Sequence, residues 1–153
     1  MGEITVRTAQ LADLETLLTF EQGIIAAERP FDPTLKDETI SYYNIEAMIT
    51  APHIEVVIAE VDSEIIASGY ARIDDAKVFL KHSKYGFLGF MYVKPAYRGR
   101  GVNKLVIQQL QRWCNDQGAT ECRLEVYDEN EPAIRAYEKL GFKKLLITMR
   151  TGM

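Results

Sequence analysis

Apolar and polar positions along this chain repeat with two different periods, and the switches between them divide it into strands and helices. Ile4-Thr5-Val6-Arg7 alternates as a short strand, and residues 13–25 then place Leu14, Leu17, Leu18 and Ile25 at helical spacing. Arg29-Pro30-Phe31-Asp32-Pro33 interrupts the pattern, after which residues 35–49 return to helical spacing with tyrosines among them and predict a second helix before Pro52. Residues 54–61 and 65–73 are strand-like runs joined at Asp62-Ser63-Glu64 as a hairpin, and residues 85–93 form a third long run that Pro95 ends. From Gly101, Leu105, Val106, Leu110 and Trp113 trace one helical face as far as Gly118.

In the last third, Cys122, Leu124 and Val126 alternate with Arg123, Glu125 and Tyr127 as a strand, and Pro132 sits in the opening turn of a helix that ends before Gly141. Residues 142–149 predict a closing strand. The order β-α-α-β-β-β-α-β-α-β combines a hairpin with βα units, so the fold class is α/β (α+β), a single mixed sheet flanked by helices. The 153 residues suit one domain, 1–153, and show no repeat, linker or low-complexity segment.

Charge and cysteine usage narrow the function classes. Eighteen basic and 22 acidic residues give a net charge of -4, which argues against a general nucleic-acid or anionic-membrane surface. No apolar run reaches the roughly 20 residues that span a bilayer, and Met1-Gly2 lacks Ser or Thr at position 6 for a myristoylation signal. Cys114 and Cys122 fall in a helix and a strand pattern and read as reduced interior residues, so cytoplasm is the expected compartment. No Cys/His cluster has metal-ligand spacing, and His53 and His82 lack partner motifs, so no metal is expected.

The basic residues concentrate where chemistry is needed. Arg98-Gly99-Arg100-Gly101-Val102-Asn103-Lys104 joins the third apolar run to the helix, and its glycines let successive N–H groups face one way where the helix start adds unsatisfied donors. A multiply charged phosphate is the natural complement, an ordinary basic strand-to-helix loop the alternative. A nucleotide triphosphate fits less well, because Gly-Lys-Ser/Thr after four intervening residues is missing.

Beyond that loop come Leu124-Glu125-Val126-Tyr127-Asp128-Glu129-Asn130, then Ala133, then Tyr137-Glu138-Lys139-Leu140-Gly141-Phe142. Together the two motifs resemble the GCN5-related N-acetyltransferases (GNAT), whose phosphate loop follows Gln/Arg-x-x-Gly-x-Gly/Ala and whose next strand and helix carry Asn, Ala, Tyr and Gly-Phe at this spacing. The resemblance implies a mostly antiparallel sheet and acetyl-coenzyme A (acetyl-CoA) as cosubstrate. It further implies that the backbone of Val93 pairs with the pantetheine arm and that the amides of Arg98, Gly99, Arg100, Gly101, Val102, Asn103 and Lys104 hold the pyrophosphate. Asn130 would hydrogen-bond the pantetheine, or simply cap the following helix. Asn103 departs from the pattern, because a small residue normally stands there.

The resemblance also assigns the chemistry. Tyr137 would place its hydroxyl at the thioester sulfur; on its own it reads more readily as a packed aromatic before a Gly-Phe stop, and the context of the two motifs reverses that preference. A phenol of pKa about 10 protonates a thiolate of about 8.5 uphill by roughly 2 kcal/mol, so its part is a hydrogen bond to the departing sulfur with late proton transfer. Glu125 has the Leu-Glu-Val…Asn…Tyr spacing of the ribosomal-protein alanine N-acetyltransferases and is the candidate general base, a solvated or ion-paired strand residue being the alternative. Glu28-Arg29-Pro30-Phe31 and Tyr42-Tyr43 lie where the family's first helices wall the acceptor site, or they merely pack a helix on the core. The implied reaction is direct acetyl transfer to a primary amine, either a small molecule or a protein N-terminus, with no nucleic acid or membrane partner; a homodimer stays open. The rival function is a non-catalytic acyl-CoA binding or sensing domain.

Overall fold

The computed structural model describes residues 2–153; Met1, with which the amino-terminal lipidation reading begins, lies outside them. Five strands form one sheet in the order β1-β2-β3-β4-β5. These are β1 (Thr5–Thr8), β2 (Ile54–Val61), β3 (Glu64–Asp75), β4 (Lys84–Val93) and β5 (Cys122–Arg123). Every pairing is antiparallel except β4 with β5. The expected hairpin joins β2 to β3 through Asp62 and Ser63, whose φ values of 50° and 67° suit a two-residue loop twisted to match its strands.

Helices cover both faces. On one, α1 (Leu14–Glu28) and α2 (Ile45–Thr50) bring Leu17, Phe20, Ile45 and Met48 against Val56, Ile58, Tyr70 and Phe90. On the other, α3 (Val102–Asp116) packs Val102, Val106, Ile107, Leu110 and Cys114 on Val57, Ala59, Ala67 and Leu88. Successive residues of β2 therefore bury on opposite sides, which is why it reads as a nearly unbroken apolar run. Two glycines let the helices approach closely: a Cβ on Gly23 of α1 would lie 2.7 Å from the Tyr92 ring, and one on Gly69 of β3 2.7 Å from Val106. α4 (Glu131–Lys139) follows β5.

Four expectations are corrected. The second helix is only α2, because Asp32 accepts the Thr34 N–H at 3.0 Å to make a turn, and the buried Glu21 carboxylate takes the N–H groups of Tyr42 (3.0 Å) and Tyr43 (2.8 Å) that a longer helix would need. The buried face of α3 runs through Val102, Val106, Ile107, Leu110 and Cys114, leaving Leu105 37% exposed. β5 ends after Arg123, so Leu124 and Val126 lie beyond the ladder. Residues 142–149 do not join the sheet; Arg150 donates to Asp32 (2.7 Å) and Thr34 (3.1 Å), which fixes the end of that segment at the 32–34 turn, and Leu146 stays 84% exposed.

One irregularity shapes the site. The β3–β4 register shifts between Ser68 and Tyr70, so that Phe90 and Met91 oppose Gly69 alone, and Phe90 takes a φ of +56°. Such a bulge bends its strand and raises the local twist. The buried Ser68 hydroxyl donates to the Phe90 carbonyl at 2.9 Å and satisfies the group that the bulge turns aside.

Candidate active site

β4 and β5 pair only at Gly86 with Cys122 and Phe87 with Arg123, so from Leu88 to Val93 the outer edge of β4 has no neighbouring strand. Val93 lies opposite Ala67, one step before the Lys94 N–H bonds to Ile66 at 2.8 Å, so the polar backbone groups of Val93 turn away from β3 toward that open edge. Arg98 Nε donates to the Val93 carbonyl at 2.9 Å and ties the loop to the end of the strand.

Gly99 and Gly101 both have a φ of +77°, a conformation that disfavours any side chain, and a Cβ on either would meet nothing within 4 Å. The loop is therefore open on its glycine side. Gly101 begins α3 without a side-chain cap, and the first turn closes with the Leu105 N–H on the Gly101 carbonyl at 3.3 Å. The N–H groups of Val102, Asn103 and Lys104 precede that bond and lack intrahelical acceptors. Arg98 and Arg100 flank them, each guanidinium resting on a tyrosine ring, Tyr92 at 5.7 Å and Tyr97 at 5.6 Å. A pyrophosphate fits this donor set in shape and charge.

Asn103 puts its Oδ1 in a buried position with no hydrogen-bond partner. Asn103→Ala removes that orphan and improves helix propensity, so it should stabilise the protein by about 1 to 2 kcal/mol, read as a higher Tm. An unchanged or lower Tm would show that the side chain already has a structural partner.

Tyr137 packs on the α3 core with Phe142 edge-on at 5.9 Å. Burial, and next the charge of Glu28, push its hydroxyl above the ordinary phenol range. Asn130 caps α4, its Oδ1 accepting the Ala133 N–H at 3.4 Å, so the capping alternative is present. Glu125 is exposed just past β5. His53 is exposed, while His82 pairs with Glu121 at 3.1 Å near the start of β4, the opposite end from Val93.

One carboxylate, Glu21, escaped the sequence reading, and a second, Glu28, entered it only within the 28–31 segment. Glu21, 1% exposed, accepts both N–H groups of the 42–43 segment and lies within reach of Ser41 Oγ, so it fixes Tyr42 and Tyr43 against the sheet. The signal was present, since Leu17, Glu21 and Ile25 share one helical stripe and an acid there needs buried donors. Glu21→Ala strands two N–H groups and should cost about 2 to 4 kcal/mol, seen as a lower denaturation midpoint. A midpoint equal to wild type would remove Glu21 from its anchoring role. Glu28 closes α1 half-buried, and burial raises its carboxyl above the usual range while the neighbouring Tyr42 hydroxyl pulls it partly back.

The sequence profile of the Acetyltransferase (GNAT) family matches residues 20–142. The chain belongs to that family. It is 29% identical over 102 residues to an aminoglycoside N(6')-acetyltransferase type 1 of Salmonella typhimurium, covering 65% of this chain and 69% of that protein. It is 26% identical over 150 residues to an N-alpha-acetyltransferase of Sulfurisphaera tokodaii, covering 95% and 83%. A thialysine N-epsilon-acetyltransferase of Sus scrofa is 37% identical over 59 residues, 39% of this chain, and the match spans only 35% of that protein. Among solved structures, a mutant of the BH1408 protein from Bacillus halodurans superposes with a TM-score of 0.85 at 18% identity, covering 97% and 99% of the two chains. The AAC(6')-Iy protein, bound to a CoA-linked bisubstrate analogue, does so with a TM-score of 0.73 at 24% identity, covering 99% and 100%. Among the described residues no helix is long and apolar enough to cross a membrane, and no group of His, Cys, Asp and Glu could hold a metal ion.

Proposed function

We propose that this protein is an N-acetyltransferase that moves an acetyl group from acetyl-CoA directly to a primary amine, without a covalent enzyme intermediate. The observation that carries the reading is the open edge of β4 that ends in the glycine loop, with Tyr137 of α4 packed on the core cluster that α3 shares with the sheet. The three relatives, an aminoglycoside N(6')-acetyltransferase, an N-alpha-acetyltransferase and a thialysine N-epsilon-acetyltransferase, support an amine as acceptor.

Acetyl-CoA supplies an acetyl group already activated as a thioester. The chain's part is to hold and orient it. The amides from Arg98 to Lys104 take the pyrophosphate, and Val93 lends its outward backbone groups to the pantetheine amide as a neighbouring strand would. Asn130 keeps its side-chain N–H₂ for the same arm while its oxygen caps α4. Tyr137 donates to the departing sulfur; because its hydroxyl titrates above the ordinary phenol range, it stays protonated at every working pH and should add no alkaline limb below about pH 10.

The amine must attack in its neutral form, and an alkylamine of pKa about 10.4 is neutral in only about one molecule in 2,500 at pH 7. Glu125, directly or through water, is the proposed base. Glu125→Gln should then shift the acidic limb of the rate profile toward the amine's own pKa, with partial rescue at high pH. A wild-type profile, measured when chemistry limits the rate, would leave Glu125 a structural residue. The whole reading is tested by amine-dependent release of CoA from acetyl-CoA; tight binding without release would favour an acyl-CoA binding or sensing domain instead.

A further inference from the structure

Cys114 and Cys122 are the two cysteines of the 153-residue chain, and both are free thiols. The turn between them brings them together. Gly118, at a φ of +90°, reverses the chain after α3, and the Ala119 N–H donates back to the Cys114 carbonyl at 3.0 Å. The Gly86 N–H then donates to the Glu121 carbonyl at 2.8 Å, which seats β5 beside β4 with Cys122 as the register partner of Gly86. Partners in a parallel pair turn to the same face of the sheet, here the face that α3 covers. A Cβ built on Gly86 would overlap Cys114 Sγ and lie 3.4 Å from Cys122 Sγ. The two sulfurs thus share the space that a side chain at position 86 would fill. Their access differs: Cys114 is 1% exposed, and Cys122 is half-buried.

We propose that this pair is a redox-modification site, closed by hydroperoxides to a disulfide that braces the junction where β4 and β5 part. Cys122 meets the oxidant because it is the accessible thiol. A hydrogen bond between the two thiols holds Cys122 below the ordinary thiol range, while the same bond, with burial, raises Cys114. The Cys122 thiolate attacks one hydroperoxide oxygen, the O–O bond breaks, the other oxygen leaves as an alcohol after taking a proton, and Cys122 becomes a sulfenic acid. Cys114 Sγ then attacks Cys122 Sγ: the S–S bond forms, the S–O bond breaks, and hydroxide leaves as water with the Cys114 proton. Two electrons pass from the thiols to the hydroperoxide, and a dithiol reductant reverses the change by exchange. The bond ties α3 to β5 at Gly86, where the β4–β5 pairing is confined to two residue pairs.

The test treats the reduced full-length protein with hydrogen peroxide, then alkylates it with N-ethylmaleimide under denaturing conditions and measures the intact mass. Wild type should lose both alkylatable thiols together with the mass of two hydrogens, and regain both with dithiothreitol. Peptide mapping should join 114 to 122 within one chain. The oxidised protein should melt about 3 °C or more above the reduced one. In Cys114→Ala, Cys122 should stop at the sulfenic acid and take one dimedone adduct; in Cys122→Ser, the buried Cys114 should react at least about tenfold more slowly than the wild-type pair. Thiols that stay alkylatable under peroxide, a sulfinic acid at Cys122 in place of the disulfide, a bond formed only between copies, or a disulfide that leaves the Tm unchanged would each overturn the proposal. Acetyl transfer plays no part in these readouts, so their failure would leave the acetyltransferase reading untouched.

Discussion

Tyr137→Phe should lower turnover by about 10²- to 10⁴-fold while leaving affinity for acetyl-CoA within about twofold. The substitution removes one oxygen and keeps the ring that packs on the α3 core against Phe142, so the fold has no reason to move. In the proposed role, what is lost is a donor to the sulfur as it leaves, an interaction made only in the transition state, and such losses fall on kcat rather than on binding. Steady-state rates with matched calorimetric titrations separate the two. A phenylalanine variant with wild-type kcat would return Tyr137 to the core as a packed aromatic.

Gly101→Asp should abolish tight cosubstrate binding. A Cβ there meets nothing within 4 Å, and aspartate is a good helix N-cap despite the strain at a φ of +77°. The variant should therefore fold. In the proposed binding mode its carboxylate competes for the first-turn amides and faces the pyrophosphate; two like charges about 4 Å apart at an effective dielectric near 20 repel by about 4 kcal/mol, close to a thousandfold in Kd. Gly101→Ala carries the backbone strain without the charge and should lose far less. Equal losses in the two variants would mean that backbone shape, not charge, governs the loop.

Local rules made much of this fold legible. The hairpin at Asp62-Ser63, the stop at Pro95, the glycine entering α3 and the Asn130-Glu131-Pro132 start of α4 each follow from turn and cap chemistry within a few residues. The conformation of the 98–104 loop was legible for the same reason, since its turns are set by its own glycines, Gly99 and Gly101. Long-range contacts set the rest. Residues 35–44 have helical spacing, but a carboxylate some 20 residues earlier, Glu21, claims the N–H groups of Tyr42 and Tyr43. Residues 142–149 have the composition of a strand, yet they stand outside the sheet with Arg150 bonded to Asp32. The bulge at Phe90 depends on register with β3 and leaves no mark in an apolar run. Glu28 was visible only as part of a segment, because its half-buried setting beside Tyr42 depends on a part of the chain some 14 residues away.

Direct transfer to an amine is tested most sharply by following a radiolabelled acetyl group. Incubating the protein with labelled acetyl-CoA and a panel of primary amines, diamines, aminoglycosides and peptide N-termini among them, should release CoA only when an acceptor is present. The label should appear in that acceptor in equal amount, with none retained on the protein. Labelled acetyl-CoA that binds at the loop but is never consumed, whatever the amine, would contradict catalysis and leave a binding domain.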